Sequence, residues 1–289
     1  MMRPRKGAFS YLRMPAMSHS FEHGAPHDQH QESIERAAEL LAQSRYCIAL
    51  TGAGISAESG IPTFRGKDGL WTKHGEPPLN QYEQFSEDPA AWWRQVAERL
   101  RNPDELTATI AEAQPNDAHY AMAELERIGV LKHIITQNVD GLHRLAGAVS
   151  LTEIHGCTTL LRCIGCNTRS PFDEIPEVFP PRCDQCGGIV KTDTVMFGEP
   201  IPPDCLQRCY VESSKADCVI LVGTTAVVSP AADFAFAVGQ RGHPMIEVNL
   251  DPTVITNYCA VAIHDRAGEL MSRITAEVKR IRAAHEHGS

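Results

Sequence analysis

Gly52-Ala53-Gly54-Ile55-Ser56-Ala57-Glu58-Ser59-Gly60-Ile61-Pro62-Thr63-Phe64-Arg65 begins one residue after the apolar run Tyr46-Cys47-Ile48-Ala49-Leu50. A buried strand that opens into a glycine-rich turn is how a chain builds a dinucleotide site. In that reading Gly52 permits the tight turn and Gly54 lets backbone N–H groups approach a pyrophosphate. The small Ala57 lets the next helix pack closely, its positive end toward the phosphates. The bare G-x-G-x-x-A pattern is common, and its continuation is more telling. A hydride-transfer enzyme would run through a helix to a second strand ending in a ribose-binding acid about 20 residues on. Here the chain turns instead at Gly60 and Pro62. The following Thr63-Phe64-Arg65-Gly66-Lys67-Asp68-Gly69-Leu70-Trp71 lacks strand-like alternation and reads as an ordered loop over the ligand. A dehydrogenase is thereby disfavoured.

Outward from this turn, Ile- and Val-rich strands are expected at 130–136, 150–154, 218–222, 245–249 and 260–263. Helices are expected at 32–43, 116–128, 204–213, 230–238 and 267–283. Unalternating apolar strands separated by helices or crossovers describe an α/β fold, a parallel sheet covered on both faces. Two stretches break the alternation, 62–102 and 156–192, and read as insertions that form a smaller module. At 289 residues, 43% hydrophobic and 22% charged, the chain has material for one large core plus such a module. No apolar stretch approaches the roughly 18 residues of a membrane span. The net charge of −9 argues against general nucleic-acid binding and suits a small molecule or a basic peptide. Residues 1–21 carry Arg3, Arg5, Lys6 and Arg13 and no acidic residue, a faint likeness to a mitochondrial transit peptide. The plainer expectation is a disordered tail over 1–30, with Met14 or Met17 an alternative start. Its His19, His23, His27 and His30 then need no role, and the protein is cytoplasmic.

Cys163-x2-Cys166 and Cys183-x2-Cys186, 16 residues apart, bring four thiolates to one tetrahedral Zn²⁺. Paired disulfides are the competing reading, disfavoured without a secretory signal. With all four positions filled by sulfur, the zinc is expected to be structural. Cys157 follows a candidate histidine and is considered as a nucleophile, though no second motif supports it.

Ligands of a doubly wound sheet bind beyond the carboxyl ends of the strands. One strand end opens into Gln137-Asn138-Val139-Asp140-Gly141 and another into His155-Gly156, bringing an amide, a carboxylate and an imidazole near the glycine loop. Gly223-Thr224-Thr225 and Asn249-Leu250-Asp251 end two later strands and suit an adenosine ribose. Each has a plainer reading alone: Asn138 or Asp140 caps the next helix, and His155 is one of 13 histidines, with His143 on a nearby helix.

Together these motifs resemble the sirtuin family of NAD-dependent protein-lysine deacylases over about residues 31–275, within a catalytic domain expected to span 31–284. The likeness rests on Gly52 to Arg65, Thr136 to Gly141, Glu153-Ile154-His155-Gly156, the four cysteines, Val195-Met196-Phe197-Gly198-Glu199, Gly223-Thr224-Thr225 and Asn249. It implies a Rossmann-like large domain with a small zinc-ribbon and helical domain inserted from 62–102 and 156–192. It also implies NAD as co-substrate, one structural Zn²⁺, and an acylated protein lysine as partner. By the same likeness His155 is the general base and Asn138 acts beside it. Gly52, Ala53, Gly54, Glu58, Thr63, Phe64, Arg65, Trp71, Gln137, Val139, Asp140, Gly223, Thr224, Thr225, Asn249, Leu250, Asp251 and Ala267 contact the cofactor. Val195, Phe197, Gly198 and Glu199 take the acyl-lysine and an extended peptide. Asp265 falls where members of the family commonly have glycine. Members that remove succinyl or malonyl groups have a Tyr and, three residues on, an Arg; here these positions are Val96 and Arg99, so a neutral acyl group is expected. A mono-ADP-ribosyltransferase and a catalytically silent NAD-sensing module are the alternatives.

Overall fold

Two strands, β1 (Cys47–Thr51) and a later one at Cys218–Val222, are buried at every position, which only a sheet covered on both faces allows. The computed structural model describes residues 30–65 and 69–287. The expected tail falls outside them except for His30, as do Gly66, Lys67 and Asp68 of the loop. In chain order, α1 (Gln31–Gln43) leads into β1, and a 3-10 turn (Ala53–Ser59) follows it. Then come α2 (Leu70–His74), α3 (Gln81–Glu87), α4 (Pro89–Arg101), α5 (Glu105–Glu112), α6 (Asp117–Arg127), β2 (Leu131–Thr136), α7 (Leu142–Leu145) and β3 (Leu151–Glu153). A group of short strands, β4 (Leu160–Cys163), β5 (Arg169–Pro171) and β6 (Val190–Thr192), precedes α8 (Pro203–Lys215), β7 (Cys218–Val222), α9 (Ala231–Gln240), β8 (Met245–Asn249), β9 (Val261–His264) and α10 (Ala267–His287).

Six strands form one parallel sheet in the order β3-β2-β1-β7-β8-β9, a doubly wound α/β fold whose order reverses between β1 and β7. Successive residues of β1 point to opposite faces. Cys47 and Ala49 join the core under α1, α6 and α10, while Ile48 and Leu50 join the one under α8 and α9. The remaining strands form an antiparallel sheet in the order β5-β4-β6. Trp93 of α4, fully buried, joins the two inserted stretches. Its Nε1 donates to the Val190 carbonyl at 2.8 Å, and its ring packs against Phe172 and Phe179.

The expected elements are present with ends shifted by a few residues, and two differ in kind. The turn after Gly52 is 3-10 and stops at Gly60 in the left-handed region (φ +88°). The chain from Thr63 to Trp71 does not stay a loop, because Leu70 and Trp71 start α2, tied back by N–H bonds to the Thr63 and Phe64 carbonyls, each at 2.9 Å.

Candidate active site

The loops leaving β1 and β7 flank the crevice at the point where the sheet order reverses. Their glycines pack against one another. A Cβ on Gly54 would lie 2.7 Å from the Gly223 Cα, and one on Gly223 would lie 2.1 Å from the Ile55 nitrogen. Gly223 also sits at φ +62°, and Gly54 N–H donates to its carbonyl at 2.8 Å. Glycine is therefore required at 54 and 223 by the approach of two backbones. The sequence pattern does not contain that reason, because the partner lies in a distant loop. Ala57, expected to permit close helix packing, is exposed; the tight contact is made by Gly54 instead.

Ser56, fully buried, gathers the end of β2 around itself. Its Oγ donates to Asp140 Oδ2 at 2.7 Å and accepts from Asn138 Nδ2 at 2.9 Å. His119 Nδ1 accepts the Asn116 N–H, so the proton sits on Nε2, which faces Ser56 Oγ at 3.4 Å. Burial pulls His119 down to about 4, against the pull of the Asp140 charge, and the ring is neutral. Asp140 Oδ1 meanwhile accepts the N–H of Leu142, the first residue of α7, at 3.0 Å, although the N-cap position itself is Gly141. Ser56, Asn116 and His119 are absent from the sequence-based set. A serine inside a glycine run passes as filler, and one histidine of 13 carries no spacing signal.

His155, at the end of β3, faces the Gln137 carbonyl with Nδ1 at 3.1 Å. A carbonyl only accepts, so Nδ1 bears the proton and Nε2 the lone pair. Burial lowers its pKa from the ordinary value, partly opposed by that hydrogen bond. Gln137 Nε2 donates to Thr224 Oγ1 at 2.8 Å, and Asn249 Nδ2 to the Thr224 carbonyl at 2.9 Å, so the ends of β2, β7 and β8 are laced together. Glu58 accepts the Gly268 N–H at 2.8 Å beside the buried start of α10 at Ala267, a carboxylate at a helix's positive end. Thr225, Leu250 and Asp251 are exposed, and Val139 holds Thr158 through its carbonyl. Burial pushes the Cys157 thiol up, contrary to what a nucleophilic thiolate needs.

The two sets of candidates meet through aromatic rings. Phe64 lies 5.1 Å from Trp71, and Trp71 lies 5.6 Å from Phe197, with the Arg65 guanidinium 4.5 Å above Trp71. Thr63 Oγ1 closes the turn onto the Arg65 carbonyl. Val195 N–H donates to the His155 carbonyl at 2.8 Å, which fastens the segment 195–199 beside the histidine. Gly198 is exposed at φ +83°, but the Glu199 carboxylate turns inward to Arg162 and Lys191. A peptide along this edge would meet backbone and Phe197 rather than that carboxylate. On α4, Val96 is half-buried and Arg99 is exposed.

The sulfurs of Cys163, Cys166, Cys183 and Cys186 lie within 4.8 Å of one another, with 3.5 Å between the first and last and 3.7 Å between the middle two. A tetrahedral zinc with Zn–S bonds of about 2.3 Å separates its sulfurs by about 3.8 Å, so the set fits that ion. Gly188 is needed here, since a Cβ would stand 2.9 Å from Cys163 Sγ.

The Sir2 family profile matches residues 52–230. An NAD-dependent protein deacylase 1 of Archaeoglobus fulgidus is 44% identical over 247 residues, covering 85% of this chain and 98% of the relative. An NAD-dependent protein deacetylase of Caldivirga maquilingensis is 40% identical over 258 residues, 88% of this chain and 96% of the relative. Among solved structures, a Sir2 homolog–NAD complex aligns with TM-score 0.71 at 44% identity, over 86% of this chain and 94% of that one. A Sir2 protein bound to a myristoylated histone peptide aligns with TM-score 0.62 at 34% identity, over 88% and 99%. No helix among the described residues is long and apolar enough to cross a membrane.

Proposed function

The chain belongs to the Sir2 family, and on that premise we propose that it is an NAD-dependent protein-lysine deacylase releasing nicotinamide and 2′-O-acyl-ADP-ribose. When bound, NAD supplies an anomeric carbon with nicotinamide as leaving group and a ribose that receives the acyl group. The observation that carries the reading is the state of His155: Nδ1 is tied to Gln137, Nε2 keeps its lone pair, and burial keeps the ring neutral. Such a ring takes a proton from a ribose hydroxyl. Asn138 and Asp140, held on Ser56, offer an amide and a carboxylate to the nicotinamide carboxamide, their spacing fixed before the ligand arrives. Gln137 contacts the ribose, and Thr224, Thr225, Asn249, Leu250, Asp251 and Ala267 take the adenosine side. Phe64 keeps water from the reacting carbon, and Arg65 orients a phosphate or ribose.

Val195 and Phe197 line the path of the acyl-lysine. The four cysteines hold one structural zinc, which has no open position and takes no part in the chemistry. The myristoylated peptide in a family structure supports an acylated peptide as partner and a neutral chain as the acyl group. A cytoplasmic location belongs to the same proposal. Incubation with NAD and peptides bearing acetyl-, butyryl- or succinyl-lysine, followed by mass spectrometry, tests it. Free lysine, nicotinamide and acyl-ADP-ribose should appear in equal amounts, with the neutral chains preferred. ADP-ribose attached to protein would instead favour the transferase reading.

A further inference from the structure

Four charged side chains with no part in the proposed chemistry are packed between the cysteine sheet and the segment that follows it. Lys191 of β6 is wholly buried. Its ammonium donates to the Thr192 and Thr194 carbonyls at 2.9 and 2.7 Å and pairs with Glu199 Oε2 at 3.1 Å. Arg162 of β4 pairs with Asp193 Oδ1 at 2.9 Å and with Glu199 Oε1, both carboxylates being 3% exposed. Two cations and two anions thus balance in a buried site. Arg169 extends the set outward, joining Asp193 at 3.1 Å to Asp204 of α8 at 2.7 Å.

Both ends of this cluster reach functional parts. Arg162 precedes Cys163, and its Nη1 lies 3.4 Å from Asn167, the neighbour of Cys166. At the other end Glu199 Oε2 accepts the Met196 N–H at 2.9 Å. The irregular segment that follows β6 runs against the histidine: a Cβ on Gly156 would stand 2.0 Å from the Asp193 carbonyl oxygen, and the Val195 N–H is bonded to the His155 carbonyl. Buried ion pairs add little stability over apolar packing of the same volume, yet breaking one leaves a charge stranded. A cluster of this kind is therefore better suited to fixing one arrangement of the backbone than to strengthening the fold.

We infer that, given the deacylase reading above, Arg162, Lys191, Asp193 and Glu199 hold residues 194–199 in the one register that receives the acyl-lysine, and so set the affinity for the peptide. They are positioning residues that act through the Met196 and Val195 backbone. The zinc knuckles influence turnover along the same route, since Arg162 is anchored among them.

The test uses the full-length, zinc-loaded protein and its Lys191→Met variant. Steady-state kinetics with NAD and an acetyl-lysine peptide should show the peptide KM raised about tenfold or more, since small displacements of a positioned segment have effects of that order or larger. The NAD KM should stay within about twofold and zinc at one per chain. A peptide KM unchanged with zinc retained, or peptide and NAD KM rising together, overturns the inference. Hydrogen exchange over 193–199, which needs no substrate, separates this outcome from a failure of the deacylase reading. It should quicken in Lys191→Met while β1 and β7 stay protected, and unchanged exchange there overturns the inference whatever the activity. Should Lys191→Met fail to fold, the charge-balanced Lys191→Met/Glu199→Gln pair is measured in its place. A wild-type peptide KM in that pair overturns the inference equally.

Discussion

The hydrogen bond from His155 Nδ1 to the Gln137 carbonyl decides which nitrogen can accept a proton, and burial lowers the pKa of the ring below its ordinary 6.5. A base of depressed pKa stays unprotonated further into acid. The acid limb of kcat/KM against pH should therefore have its midpoint below 6.5 in the wild type, and a midpoint above 7 would assign the limb to another group. His155→Ala should lose about 10²–10⁴ in turnover while ADP-ribose affinity, read by calorimetry, stays near wild type. Much of the candidate site could be assembled at this scale from sequence because His155, Asn138, Asp140 and the glycines lie at strand ends, where chain order alone places them. Ser56 and His119 could not. Their part depends on a three-way meeting of buried polar groups from three elements, and no spacing within one element encodes it.

Among the elements, the turn after β1 and the loop after β7 are coupled by Gly54 and Gly223. Gly223→Ala would place a methyl group 2.1 Å from the Ile55 nitrogen at a positive φ. We expect a loss of about 3 kcal/mol or more, from strain and overlap together, measured by urea denaturation; a loss under 1 kcal/mol would mean the loops separate easily. The small antiparallel sheet has little apolar core of its own beyond Trp93 and its neighbours, so its strands are expected to depend on the metal. Stripping zinc with a chelator should melt β4 to β6 and abolish deacylation while the parallel sheet stays folded. Circular dichroism and activity before and after would show it, and an active metal-free protein would refute it. Element type was legible wherever both strand faces are buried, as in β1 and β7. It failed at Leu70–His74, where glycines on both sides hid a single helical turn held by backbone bonds to Thr63 and Phe64 and by the aromatic contacts of Trp71.

Over the whole molecule, three buried histidines respond to acid in the same direction. Burial draws His119 and His133 down to about 4 and His143 to about 3, against 6.5 for the unperturbed ring. Below pH 6.5 the unfolded chain takes up protons that the folded chain refuses, so stability falls as pH drops from about 6.5 toward 4. Three protons correspond to a limiting slope of about 4 kcal/mol per pH unit. Urea midpoints between pH 7 and 4.5 measure it, and a flat profile would show that the rings are protonated in the fold. The doubly wound architecture was legible from the succession of elements. The buried ion cluster behind β6 was not, because its charges are scattered from 162 to 199 and in sequence look like ordinary surface residues.

The reversal of strand order between β1 and β7 also bears on how the protein is made. As the chain leaves the ribosome, β1 can pair with β2 as soon as residue 136 has emerged, but its other edge stays open until residues 218–222 follow. For that interval the nascent chain carries an apolar strand with one unsatisfied row of backbone groups, the kind of edge that invites pairing with a neighbouring chain. The four cysteines emerge inside the same interval. Zinc capture would then fold the β4–β6 sheet beside the open edge before β7 arrives, so metal supply during synthesis should govern the soluble yield of this protein as well as its activity.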